Sequence, residues 1–252
     1  MTSRLVGRIA LVTGAGSGIG LVTAMAYLRE GATVFFADVD EERACEVVAD
    51  AGTPHALAIT MDITDEDQVS RGFNEMAAHG FVPNVVVANA GIQLIGRDAP
   101  IHALDVETWR QTINTNLTGT FFTVKHAVRA MLSSGGSIII MGSPTGITGE
   151  GHDFTAYAVS KAGIHGLSRT VAAAYAKQGI RVNTVIPGFT VTPLTEAISR
   201  DDYARSMIVA RIPMGRAGTV KDLEGIMVYL ASDESSYATG SMFIVDGGMT
   251  TL

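Results

Sequence analysis

Short runs of β-branched and other apolar residues alternate with helix-length segments along the whole chain, the pattern of a parallel sheet with crossover helices. The strand candidates are Ile9–Thr13, Thr33–Ala37, Ala56–Thr60, Val85–Ala88, Ser137–Met141, Arg181–Ile186 and Met242–Val245. They read as near-continuous apolar runs, as strands buried on both faces do. Helix candidates lie between them at Ile19–Glu30, Glu41–Ala51, Asp65–His79, Asp105–Ser133, Phe154–Gln178 and Val220–Ser232. Two have clear starts, Thr64 ahead of Asp65-Glu66-Asp67 and Asp105 ahead of Val106-Glu107, where acidic side chains meet the positive helix end. No composition shift, repeat or linker divides the 252 residues. The expected fold is therefore α/β: one domain over residues 1–252, with a doubly wound parallel seven-stranded sheet and helices on both faces.

In open sheets of this kind ligands bind where the strands end at their carboxyl side. The first such end is Thr13-Gly14-Ala15-Gly16-Ser17-Gly18-Ile19-Gly20, followed by an apolar helix. Gly14, Gly18 and Gly20 let the backbone turn tightly and approach a pyrophosphate, whose charge is met by amide N–H groups at the helix start. The spacing is Thr-Gly-x-x-x-Gly-x-Gly; the Gly-x-Gly-x-x-Gly fingerprint fails because Ile19 and Leu21 stand where its last glycine would fall. Asp38 ends the second strand. A carboxylate there accepts hydrogen bonds from both adenosine ribose hydroxyls and repels a 2′-phosphate. Losing one charged hydrogen bond costs ~1.5–3 kcal/mol, so NAD is expected over NADP by at least about tenfold to a hundredfold. No nearby basic residue is expected to offset this, since Ser17 is neutral and Val39-Asp40-Glu41 adds only negative charge.

Tyr157 and Lys161 stand four residues apart, a spacing that places a phenol and an ammonium on one helix face. An ammonium ~5 Å away at an effective dielectric of ~20 favours phenolate by about 3 kcal/mol, which moves the phenol toward the range useful for acid–base work. With six Tyr and Lys only at 125, 161, 177 and 221, chance supplies this spacing in roughly one such chain in ten, so the pair needs partners.

Composition removes several function classes. The net charge of −7, from 18 basic and 25 acidic residues, with no Lys/Arg cluster, argues against a nucleic-acid partner. Mean hydropathy is high at +0.27, yet no apolar stretch reaches membrane-spanning length, and Arg4 and Arg8 interrupt the start of the chain. A cytoplasmic protein without a membrane partner is expected. Cys45 is the single cysteine, and the six histidines form no ligand-like spacing, so no metal is expected.

Taken in order, Thr13-Gly14-x-x-x-Gly18-x-Gly20, Asp62, Asn89-Ala90-Gly91, Asn116 in Asn-Thr-Asn-Leu, Ser143, Tyr157-x-x-x-Lys161, Pro187-Gly188 and Val245-Asp246-Gly247-Gly248 resemble the classical short-chain dehydrogenase/reductase family over essentially the whole chain. The resemblance implies a Rossmann sheet, an NAD cofactor and an NAD(H)-dependent oxidoreductase that interconverts a secondary alcohol and a ketone by hydride transfer. It implies Tyr157 as general acid–base, Lys161 on the nicotinamide ribose, Ser143 on the reacting oxygen and Asn116 in a water-linked relay to Lys161. The cofactor set would be Gly14, Ser17, Gly18, Ile19, Gly20, Asp38, Asp62, Ile63, Asn89, Ala90, Gly91, Tyr157, Lys161, Pro187, Gly188, Thr190 and Thr192, with Ile186 beside the carboxamide. Ser143 lies one residue further from Tyr157 than is usual and precedes Pro144, so its loop is expected to bulge, with Thr145 as the alternative hydroxyl.

The resemblance also implies a substrate pocket from Gln93, Ser143, Thr145, His152, Tyr157 and Phe189, with Ile95, Pro144, Glu150, Phe154 and Leu194 around them and Met207 and Ile208 as covers. Its apolar walls suit a medium-sized alcohol or ketone. A lid is expected at about 187–215, and a homotetramer in which helices 105–133 and 154–178 pack through small residues such as Ala158, Ala162 and Gly166. Two rivals remain: a 3-oxoacyl-thioester reductase, and a catalytically silent dinucleotide sensor or scaffold.

Overall fold

The computed structural model describes residues 3–149 and 151–251. Seven strands form one sheet: β1 (Ile9–Thr13), β2 (Thr33–Asp38), β3 (Ala56–Thr60), β4 (Val85–Ala88), β5 (Gly136–Met141), β6 (Ile180–Pro187) and β7 (Met242–Val245). All pairs are parallel, and the order across the sheet is β3-β2-β1-β4-β5-β6-β7. The chain starts in the middle, winds out through β2 and β3, and returns to lay β4 beside β1 before winding to the other edge. The order reverses between β1 and β4, and the diverging ends of these two strands open a crevice.

The helices are α1 (Gly18–Arg29), α2 (Glu41–Ala51), α3 (Glu66–Ala78), α4 (Val106–Ile113), α5 (Thr120–Met131), α6 (Thr155–Tyr175), α7 (Glu196–Arg200), α8 (Asp202–Val209) and α9 (Glu224–Ala231). Alternate strand residues divide the core into two layers. Leu11, Phe35, Val86 and Ile138 pack with residues of α3, α5 and α6, whereas Val12, Phe36, Val87 and Ile139 pack with residues of α1 and α9. Both faces are covered, which is why the strands carry so few polar residues. Full burial of a side chain such as Phe36 or Ile139 contributes about 1.5–3 kcal/mol.

Three local features differ from the sequence expectation. The cap of α3 is Asp65, not Thr64: its carboxylate accepts from the N–H groups of Asp67 at 2.9 Å and Gln68 at 3.4 Å. Asp105 caps α4 as expected, taking the Thr108 N–H at 2.8 Å. The stretch 105–133 is not a uniform α-helix, because α4 and α5 are joined by a π-turn at Asn114–Gly119. Gly119 is required there, since a Cβ would lie 2.8 Å from Ile63 Cδ1. The segment after β6 carries α7 and α8, which fall outside the helix candidates given above. Among the described residues, no helix is long and apolar enough to cross a membrane.

Candidate active site

The crevice between β1 and β4 is stitched by side chains rather than filled by them. Thr13 Oγ1 accepts from the N–H groups of Asn89 at 3.0 Å and Ala90 at 3.1 Å, and Asn89 Nδ2 donates to Thr13 O at 2.9 Å. Gly14 and Gly18 have φ of 64° and 56°, in the left-handed region that favours glycine. Gly20 has a different task. A Cβ there would lie 2.2 Å from Gly14 O, so Gly20 brings α1 against the loop and does not line the cleft. At the start of α1, Ser17 makes no side-chain cap bond and the first turn holds no acidic residue. That N-terminus suits an anion.

Asp38 stands at the floor of this cleft. Its Oδ2 accepts from Gly16 N–H at 2.8 Å and its Oδ1 from Asp40 N–H at 3.2 Å. The expectation that no basic residue stands nearby is corrected by Arg43, whose Nε donates to Gly16 O at 2.9 Å. A Cβ on Gly16 would lie 2.9 Å from both Arg43 Cγ and Asp38 Oδ2. Arg43 is also paired with Glu46 at 3.0 Å. Ser17, Gly18, Ile19, Asp62, Ile63, Asn89, Ala90 and Gly91 line the rest of the cleft, a cavity of about 300 Å³. The gap for a pyrophosphate beside the glycines and the carboxylate at the ribose end fit a nicotinamide dinucleotide.

A second cavity, of about 270 Å³, adjoins it and shares Ile19, Asn89, Gly91, Thr192 and Leu194 with it. Ser143, Tyr157 and Lys161 lie on its wall. Ser143 follows β5 and caps a 3₁₀ turn at Pro144–Gly146, and its Oγ stands 2.9 Å from Thr145 Oγ1. This turn sets the two candidate hydroxyls side by side. Tyr157 and Lys161 come from successive turns of α6. Lys161 Nζ donates to Met141 O at 2.8 Å and lies 5.6 Å from the Tyr157 ring centroid.

Burial dominates the electrostatics of the pair. It pushes the Tyr157 phenol up to about 12, against a smaller lowering by the Ser143 hydrogen bond. It pushes the Lys161 ammonium down to about 8. The lowering of the phenol expected from helix spacing is therefore reversed in the free chain, because spacing carries no information about desolvation.

The remaining candidates divide. Gln93, Thr145, Phe189, Pro187, Gly188, Thr190 and Thr192 all line the second cavity. Asn116 is fully buried in the π-turn; its amide binds the Ile92 backbone in both directions at 2.8 Å and Ser160 Oγ at 3.2 Å. His152 is a correction: it is exposed, pairs with Asp153 at 3.2 Å and does not line the cavity. Ile95 and Met207 are not on the wall either, whereas Ile208 is. Glu150 lies outside the described residues. Sequence reasoning missed Ile198, Arg211 and Met249, which reach the wall from the segment after β6 and from the carboxyl end. It also missed Asp98, a buried carboxylate beneath the start of α6. The available signal was that Phe154, the residue before α6, has no side-chain acceptor to cap it.

A family model described as enoyl-(acyl carrier protein) reductase matches residues 14–250. The chain is 40% identical over 248 residues to cis-4-hydroxycyclohexanecarboxylate dehydrogenase of Sinomonas cyclohexanicum, covering 97% of each chain. It is 39% identical over 249 residues to the 3-oxoacyl-(acyl-carrier-protein) reductase of Thermotoga maritima, covering 98% of this chain and 99% of the relative. The crystal structure of a gluconate 5-dehydrogenase from Burkholderia cenocepacia in complex with NADP and tartrate superposes with a TM-score of 0.93 at 32% identity, covering 100% of this chain and 98% of that one. With its doubly wound sheet and its nicotinamide-dinucleotide cleft, the chain belongs to the short-chain dehydrogenase/reductase family of oxidoreductases.

Proposed function

We propose that the chain interconverts a secondary alcohol and a ketone, with Tyr157 moving the proton on the substrate oxygen. The carrying observation is that Tyr157, Ser143 and Lys161 share one wall of a cavity that opens onto the dinucleotide cleft. When bound, the nicotinamide accepts or returns the hydride at its C4. In reduction the neutral Tyr157 donates its proton to the carbonyl oxygen; in oxidation its phenolate takes the hydroxyl proton. The Ser143 hydroxyl, placed by Thr145, holds the same oxygen and meets the charge that develops there. Lys161 would hold the ribose hydroxyls, the start of α1 the pyrophosphate, Asp62 and Ile63 the adenine, and Pro187, Thr190 and Thr192 the carboxamide. Asn116 supports the site by fixing the loop at Ile92.

NAD is the proposed cofactor, since the Asp38 carboxylate at the end of β2 would repel a 2′-phosphate. Arg43 lies close enough to soften that repulsion, but Glu46 and Gly16 already engage it. NADH is expected to bind at least about tenfold tighter than NADPH in a fluorescence titration; equal affinities would refute the choice. The walls of the substrate cavity include Phe154, Phe189 and Ile208. This supports a medium-sized alcohol or ketone with an apolar body. Thioester reduction is the second reading, supported by the nearly equal identity to the Thermotoga reductase. The assembly is proposed to be a homotetramer and the segment 187–215 a lid.

The test is an NAD reduction screen over alicyclic and sugar hydroxy acids, neutral alcohols and 3-hydroxyacyl thioesters, repeated with Tyr157→Phe. The variant should lose ~10²–10⁴ of the turnover while binding NADH normally. Turnover kept within about tenfold would remove Tyr157 from its role. A chain that binds NADH but oxidises nothing would favour a silent sensor.

A further inference from the structure

We propose that Asp98 is a positioning residue for Tyr157, holding the first turn of the catalytic helix from a distant loop. This deepens the reading of Tyr157 as the acid–base and rests on it. The need arises in the sequence of α6 itself. Its first residues are Thr155, Ala156 and Tyr157, and the preceding Phe154 has no side-chain acceptor for their N–H groups. Ala156 and Tyr157 are buried, so water cannot serve those donors, and a buried N–H left unpaired is costly.

Asp98 supplies both acceptors. The residue is buried, only 5% exposed. Oδ1 accepts from Ala156 N–H at 3.1 Å and Oδ2 from Tyr157 N–H at 2.9 Å, across 58 and 59 residues of sequence. The same loop is tied down twice more: Ala99 N–H donates to Asp98 Oδ1 at 2.9 Å, and Thr155 Oγ1 donates to Ala99 O at 2.7 Å. A negative carboxylate at a positive helix end is favourable, and these bonds are the stronger, charge-assisted kind.

Because each carboxylate oxygen takes one N–H of α6, the fork fixes the rotation of the first turn and with it the direction of the Tyr157 Cα–Cβ bond. On the other side of the same residue, Tyr157 O accepts from Ser160 Oγ at 2.7 Å, and Ser160 Oγ in turn accepts from Asn116 Nδ2. The backbone of Tyr157 is thus held at both its N–H and its C=O. Asp98 lines neither cavity, so it acts through Tyr157 and not on substrate. It also belongs to the loop that carries Gln93 into the substrate cavity, so one clasp registers a substrate wall against the phenol.

The test uses full-length protein with ¹³Cζ-labelled tyrosine. The Tyr157 signal among the six tyrosines is identified by its loss in Tyr157→Phe. Asp98→Asn sets an NH₂ group against one of the two N–H donors, and Asp98→Ala removes both acceptors. The expected result is a Tyr157 signal that shifts and broadens in Asp98→Asn, more so in Asp98→Ala, with the other five in place and NADH affinity unchanged. Should Asp98→Ala fail to fold, Asp98→Asn alone decides. A Tyr157 signal that stays where it was, or six signals that move together, would overturn the proposal. Neither result bears on whether Tyr157 is the acid–base, which the turnover of Tyr157→Phe decides separately.

Discussion

Burial acts on the two members of the Tyr157–Lys161 pair in opposite directions, and both directions favour a neutral phenol. With the phenol at about 12 and the ammonium at about 8, Tyr157 holds its proton at neutral pH and Lys161 keeps its charge until the pH passes about 8. Carbonyl reduction, which begins from a protonated Tyr157 and a charged Lys161, should have a kcat/KM that is level below that point and falls above it. Alcohol oxidation begins from the phenolate and should quicken as the pH rises. Profiles of kcat/KM in both directions report the free enzyme and check this; a reduction that accelerates from neutral to alkaline pH would contradict it. These signs were not legible in the sequence. Motif spacing brings Tyr157, Lys161 and Ser143 together, but desolvation depends on which strands and loops close over them. Arg43 escaped for a similar reason, since 27 residues separate it from Gly16 and only the fold brings them into contact. His152 shows the converse, a residue in the right loop whose side chain faces solvent.

Elements were easier to read where one physical cause dominates. Strands buried on both faces announce themselves as apolar runs, and their observed ends differ from the expected ones by at most a residue, at Asp38, Gly136, Ile180 and Pro187. The need for glycine at 119, the last residue of the π-turn, was invisible because it is tertiary: Ile63 packs where a Cβ of residue 119 would stand. The contact of α1 with β1 makes a sharper prediction. A methyl group at position 20 would meet Gly14 O at 2.2 Å and Asn89 Nδ2 at 2.6 Å, so neither the helix nor the loop can stay in place. Gly20→Ala should therefore lower the Tm and weaken NADH binding together, in thermal melts and a fluorescence titration. An unchanged NADH affinity would show that the glycine loop is not the pyrophosphate cradle.

At the scale of the molecule, every strand points the same way, so the polar loops that follow them collect along one edge while the opposite edge and both faces serve stability. The proposed assembly belongs to this scale. Phe121 on α5 and Val159 on α6 are 44% and 45% exposed, apolar side chains on the two helices proposed to meet a second copy. Sedimentation equilibrium should give the mass of four chains, and Val159→Arg should shift it to smaller species without loss of the fold. A monomer mass for the unaltered protein would exclude the homotetramer. The adjoining cavities carry a different consequence. Ile19, Thr192 and Leu194 present surface to both chambers, so any rearrangement of that partition by one occupant is felt by the other. Such coupling is reciprocal: whatever factor the dinucleotide applies to the affinity for alcohol, the alcohol must apply to the affinity for dinucleotide.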